Sequence, residues 1–188
     1  MGAVRGQWHL DGDAHARWDP VVYLGGMELI RRFPEQMLRS ALADWAWVGD
    51  LDGGTPIATS AFGDVFLQRD DGVWYLDLVE GTFTRQWDSP EELQSALNTP
   101  EGQDRFLLAG LVSAAAERGL EPGPSEVLSF TVLPALGGAL DVSNLEVADL
   151  DVALSMAGQL QRQVKDLPEG TAITGVSIGD DGRPHLQT

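Results

Sequence analysis

The chain has 188 residues, no cysteine and a formal net charge of −17. That length fits one domain with a sizeable core, and 43% hydrophobic with 22% charged residues is ordinary for a soluble globular protein. The acidic balance argues against nucleic acid or an anionic membrane as partner, because phosphate contacts need Lys and Arg, and the lack of cysteine removes disulfides and thiolate metal sites.

The charge is uneven. Residues 1–33 carry four acids and four bases, residues 34–120 fifteen and five, and residues 121–188 ten and three. Between Arg118 and Arg162 lie six acids and no base. Such a surface either keeps the protein soluble or meets a basic partner. No apolar run reaches the roughly 18 residues of a membrane span. The start MGAVRGQWHLDGD lacks the apolar region of a signal peptide, and Gly6 stands where a myristoylation start has Ser or Thr. The compartment expected is the cytoplasm.

Residues 1–33 read as an N-terminal arm or adaptor segment and residues 34–188 as a single domain. Gly, Asp and Pro interrupt Trp8, Trp18 and Tyr23, so residues 1–27 are predicted to be irregular. Met37, Leu38, Ala41, Leu42 and Trp45 recur at helical spacing behind Pro34, which predicts a helix over 34–47. Ile57–Leu67 and Val73–Val79 flank Asp70-Asp71-Gly72 and predict a hairpin. Ser89-Pro90 and Thr99-Pro100 each open a helix, with Glu92 placed for a capping box. The second helix should run to Gly119, which suits a left-handed position after a helix end. Val127–Leu133 and Leu145–Ala148 read as strands. Leu150, Leu154, Ala157, Leu160, Val164 and Leu167 predict a helix over 149–166, stopped by Pro168 and Gly170. Ile173–Ile178 reads as a last strand before a polar tail. The order predicts an α+β fold, a mostly antiparallel sheet with helices packed against it.

Few constellations carry chemistry. His9, His15 and His185 are scattered, with no partner at ligand spacing, so no metal site is predicted. Four Asp/Gly clusters, at 11–13, 50–54, 70–72 and 180–182, lack the spacing of a calcium loop and read as turns. No phosphate-cradling glycine loop and no nucleophile elbow occurs, so neither cofactor nor catalytic residue is assigned. With 29 acids, a carboxylate pair is unavoidable by chance; only a buried pair in a deep pocket would revive an enzyme reading. Gly158 inside the last helix reads either as close backbone packing or as a tolerated glycine, since glycine there costs about 1 kcal/mol. Gln159, Gln161 and Gln163 are expected to be solvated or to bond neighbouring backbone.

A longer pattern remains. Leu136-Gly137-Gly138, Asn144-Leu145-Glu146-Val147, Asp149-Leu150, Gly158-Gln159-Leu160, Gln163-Val164 and Leu167-Pro168-Glu169-Gly170-Thr171 form one run. This run resembles the C-terminal domain of a type VI secretion immunity protein, a family that often accompanies a GAD-like domain. Pro56–Leu67 and Gly72–Asp77 resemble its earlier half, so the likeness spans about residues 55–175. The region ahead of it is short for a full GAD-like domain. The resemblance implies a bacterial cytoplasmic protein that binds and neutralises a toxic effector, a DNase in its best-understood relatives, with no cofactor and no catalysis.

Three functional readings follow: an inhibitory binding protein for a basic toxin, a general interaction domain with a housekeeping partner, or an enzyme with an unrecognised carboxylate site. For the first, the acids to test are Asp141, Glu146, Asp149 and Asp151. Asp149 and Asp151 would also serve simply as cap and favourable charge at a helix start.

Overall fold

Residues 30–87 fold into a five-stranded antiparallel meander. In the computed structural model, residues 27–168 and 170–188 are described in full, with the backbone alone of residues 5–9, 17–21 and 23–24. The side chains of Trp8, His9, Trp18 and Tyr23, and all of His15 and the Asp11–Asp13 cluster, lie outside the described residues. Where an irregular arm is predicted, β1 (Arg5–His9) pairs antiparallel with β2 (Arg17–Val21), and β3 (Tyr23–Leu24) with β4 (Met27–Glu28).

The meander is β5 (Ile30–Arg31), β6 (Thr55–Ser60), β7 (Val65–Arg69), β8 (Gly72–Asp77) and β9 (Thr82–Trp87), in sequential order. The Asp70–Gly72 hairpin forms as predicted. The single strand predicted over 57–67 is instead two strands, broken by a tight turn at residues 61–64. Ser60 makes that turn: its hydroxyl oxygen accepts from the Phe62 and Asp64 amides, each at 3.1 Å. β9 carries no sequence signal because Thr82, Thr84, Arg85 and Gln86 are exposed and only Trp87 is buried, the pattern of a polar sheet edge.

Both faces of the sheet are covered, which explains why Val65, Phe66 and Leu67 are all buried instead of alternating with polar residues. One face presents Phe66, Val73, Tyr75 and Trp87 to α2 (Pro90–Leu97), α3 (Pro100–Leu107) and α4 (Ala109–Glu117). The other presents Val65, Leu67, Leu76 and Leu78 to α1 (Glu35–Ala41), the 3₁₀ segment Leu42–Val48 and α5 (Leu150–Asp166). Arg31 is buried at the sheet edge, where its guanidinium donates to the carbonyls of Pro122 and Gly123 and pins the proline-rich loop. Burial lowers its pKa, with the charges of Glu28 and Glu126 opposing.

The helix starts follow the sequence closely. Ser89 and Thr99 accept the Glu92 and Gly102 amides at 3.3 and 3.0 Å. Glu92 reaches back one residue further than a standard capping box, accepting the Asp88 amide at 2.9 Å. The helix predicted from Thr99 to Gly119 is two helices, because Leu108 is left-handed (φ 49°, ψ 45°). That conformation costs about 1–2 kcal/mol for a non-glycine residue. Asp104 supports the break by accepting the Gly110 amide at 3.1 Å, taking the capping role from across the kink. α4 ends as expected, with Gly119 left-handed.

β10 (Glu126–Phe130) and β11 (Leu145–Asp149) form a separate antiparallel ribbon, and β12 (Gly175–Ile178) with β13 (Pro184–Gln187) another two-stranded one. Of the two expectations for the α5 glutamines, bonding to backbone holds and solvation does not: Gln163 donates to the Gln159 carbonyl at 3.2 Å, and all three also reach further along the chain. Gln161 is buried and donates to the carbonyls of Leu78 and Val79. Gln159 donates to the Asp44 carboxylate at 3.0 Å. Gln163 donates to the Pro184 carbonyl at 2.8 Å and accepts the Leu186 amide at 3.0 Å, holding the last hairpin against the helix.

Gly158 is a point of close packing. The Trp45 indole donates to the Leu154 carbonyl at 2.8 Å, and Trp47 to the Gly158 carbonyl at 3.1 Å. A Cβ at Gly158 would lie 2.8 Å from Trp45 Nε1 and 3.0 Å from the Asp44 carbonyl oxygen. Gly158→Ala is therefore expected to destabilise by about 1–3 kcal/mol through overpacking, against a propensity gain of about 1 kcal/mol. Urea unfolding checks this; an alanine variant as stable as the parent would show that the two tryptophans can move aside.

Candidate functional site

The β10–β11 ribbon has two faces because side chains alternate along a strand. Leu128, Phe130, Leu145 and Val147 turn toward the helical core. Ser129, Glu146 and Ala148 turn the other way, toward α5. α5 lies beside them with Val152, Ala153, Met156 and Leu160, and Ile173–Val176 forms the far wall. Between them runs a mainly apolar groove of about 520 Å³. Val132, Val152 and Val176, from three different elements, line it while 45%, 56% and 42% exposed.

Its end is shaped by the glycine turn. Asn144 donates to the carbonyls of Val132 and Ala139 at 2.8 and 2.9 Å and accepts the Val132 amide at 3.0 Å. The chain closes so tightly there that a Cβ at Gly138 would fall 1.8 Å from the Val132 carbonyl oxygen. Arg118 donates to the carbonyls of Val142 and Leu145, tying the approach to β11 onto α4. The Gly-Gly and Asn residues singled out in the sequence thus fix one end of the groove.

The four acids do not form one cluster. Asp141 is exposed and accepts the Ser143 hydroxyl and amide at 2.6 and 2.8 Å, and these bonds lower its pKa. Glu146 is exposed and lines the groove. Asp149 stands at the cap position of α5 without a side-chain capping bond, and Asp151 lies in the first turn, both exposed. The carboxylates of Glu146, Asp149 and Asp151 have no hydrogen bond or ion pair among the described residues.

One buried acid does exist, Asp64, with the half-buried Asp77 as its acidic neighbour. Asp64 is 2% exposed; it accepts the Ser60 hydroxyl at 2.6 Å and the Leu78 amide at 2.9 Å. Burial, then the charge of Asp77, pushes its pKa up to about 7. Burial also raises Asp77, which accepts the Val79 and Glu80 amides at 2.9 Å. The cavity beside Asp64 is only about 20 Å³, close to the space of one water molecule. The two carboxylates therefore brace the 61–64 and 78–80 turns, and the cavity at Asp64 has no room for a substrate. Among the described residues, no three His, Asp or Glu side chains gather as metal ligands. No described helix is long and apolar enough to cross a membrane.

The protein is thus an α+β domain that carries a mainly apolar groove with one carboxylate, Glu146, in its lining. Residues 89–161 match the family model of the type VI secretion system (T6SS) immunity protein Tdi1, C-terminal. The match spans α2 through Gln161 of α5 and so includes the ribbon and most of the groove. No curated protein matches the chain. Among solved structures it is similar to Atu4351 from Agrobacterium tumefaciens, at 14% identity and a TM-score of 0.44, over 84% of this chain and 75% of that one.

Proposed function

We propose that this protein is a non-catalytic immunity protein of the type VI secretion class, acting in the bacterial cytoplasm. It neutralises a basic toxic effector, a nuclease, by direct binding. The family match over residues 89–161 carries this reading. The surface supports it: the matched segment holds most of the groove and the carboxylates of Glu146, Asp149 and Asp151, which are unpaired among the described residues. These three are the contacts for the toxin, with Asp141 contributing charge while its carboxylate holds Ser143. Carboxylates facing a basic protein speed association and fix orientation more than they add affinity. Inhibition is by steric and electrostatic blockade.

Co-expression with the product of the adjacent gene tests the reading. The neighbour alone is expected to kill or arrest the host, and this protein to restore growth and co-purify with it. A harmless neighbour, or a toxic one that this protein neither binds nor neutralises, would sink the immunity assignment.

A further inference from the structure

We infer that the groove between the β10–β11 ribbon, α5 and the start of β12 is the docking slot for a short extended segment of the partner, with apolar and Lys or Arg side chains in alternation. This rests on the reading that the partner is a protein effector. Scattered exposed apolar residues need no explanation, but contiguous ones mark interaction sites. Val132, Val152 and Val176 come from separate elements and border one groove floored by Ala153, Met156 and Leu160. A volume of 520 Å³ lies within the roughly 300–1,000 Å³ of sites that take small ligands or anchoring side chains.

Charge selects the occupant. Among the described residues Glu146 is the sole charged residue lining the groove, no base occurs between Arg118 and Arg162, and Asp149 and Asp151 follow at the α5 start. The lining thus offers an incoming cation a carboxylate and no competing base; an acidic segment would be repelled. The backbone selects the conformation. β12 pairs with β13 alone, so among the described residues its other edge has no strand partner, which is the geometry that accepts an added strand. The walls are already fixed by Trp45, Asn144 and Gln163, so little ordering cost is left for binding.

Fluorescence anisotropy with the full chain tests this, using a labelled peptide alternating leucine and lysine and its serine/lysine and leucine/glutamate counterparts. The leucine/lysine peptide is expected to bind at least about tenfold tighter than either counterpart. Val152→Asp and Val176→Asp should each weaken it about tenfold, and so should Glu146→Lys. Val152→Asp is the decisive variant. It adds a negative charge, so binding by diffuse attraction alone would hold or tighten. It also places aspartate in the first turn of α5, where an acid favours the helix, so folding is preserved, as a thermal melt verifies. Glu101→Lys on α3, which lines no part of the groove, removes the same charge as Glu146→Lys and should change affinity by less than about twofold. Equal binding of the two lysine peptides, or unchanged affinity in both valine variants, overturns the slot. The same variants in the co-expression assay separate the two proposals. Full protection by Val152→Asp and Val176→Asp rejects the slot and keeps immunity. Peptide binding as expected without any protection by the parent keeps the slot and rejects immunity.

Discussion

Replacing Trp45 with alanine is expected to lower the free energy of unfolding by about 4 kcal/mol, within the range for emptying a large aromatic site. Trp45 is fully buried and is the largest side chain in the core under α5. It packs against Trp47 at 5.7 Å between ring centroids, and its indole N–H is satisfied by the Leu154 carbonyl. Removal leaves a cavity directly over Gly158, whose missing side chain cannot fill it. Stability for a domain is only about 5–15 kcal/mol, so the loss is a large share of the total. Guanidinium unfolding of Trp45→Ala and Trp45→Phe measures it, with phenylalanine recovering more than half. A loss below about 1.5 kcal/mol for alanine would mean that the 3₁₀ segment is not a structural anchor of α5.

Asp64→Asn is expected to stabilise the protein at pH 8 and to leave it nearly unchanged at pH 4. The sign follows from the raised pKa. The folded carboxyl holds its proton up to about pH 7, whereas the ordinary value is 3.8. Below 3.8 both states are protonated and the contribution to stability is fully present. Between 3.8 and 7 unfolding releases the proton, so stability falls as pH rises and is lost above 7. That difference amounts to about 4 kcal/mol at most, and Asn removes it while still accepting the Leu78 amide. Asp64→Ala differs: it leaves the Leu78 amide and the Ser60 hydroxyl without their partner and should destabilise at every pH. Denaturant midpoints from pH 4 to 8 decide between these outcomes. An unchanged pH slope in Asp64→Asn would assign the dependence to other groups, Asp77 first, since burial raises it too.

Much of the fold was legible in local chemistry. Ser89 and Thr99 cap as their spacing predicts, and the strands near residues 127 and 145 form and pair. The misses share a cause, which is that tertiary contacts overrode local pattern. Ala61 and Phe62 are apolar, so the turn they occupy looks like strand, and Ser60, the positive-φ Gly63 and Asp64 are what betray it. Leu108 is an unremarkable helix former whose backbone is turned by its surroundings. Gln161 reads as solvated or bonded to nearby backbone, but it is buried and bonds Leu78, a residue 83 positions away.

The groove was illegible for the same reason. Its walls come from residues 129–136, 146–160 and 173–176, and no window of sequence contains all three. Glu146 was singled out for its charge; nothing local marked Val132 or Val176 as its neighbours. Asp64 and Asp77 are ordinary members of an acid-rich chain until the meander brings them together.

α5 carries two sets of side chains with different duties. Leu154, Gly158 and Gln161 engage Trp45, Trp47 and the sheet, while Val152 and Met156 look into the groove. The first set admits almost no substitution, because each member meets backbone or indole at close range. The second set touches nothing that fixes the register of the helix. Residues there can drift in size and polarity without disturbing the domain, so the groove lining can change while one scaffold is inherited.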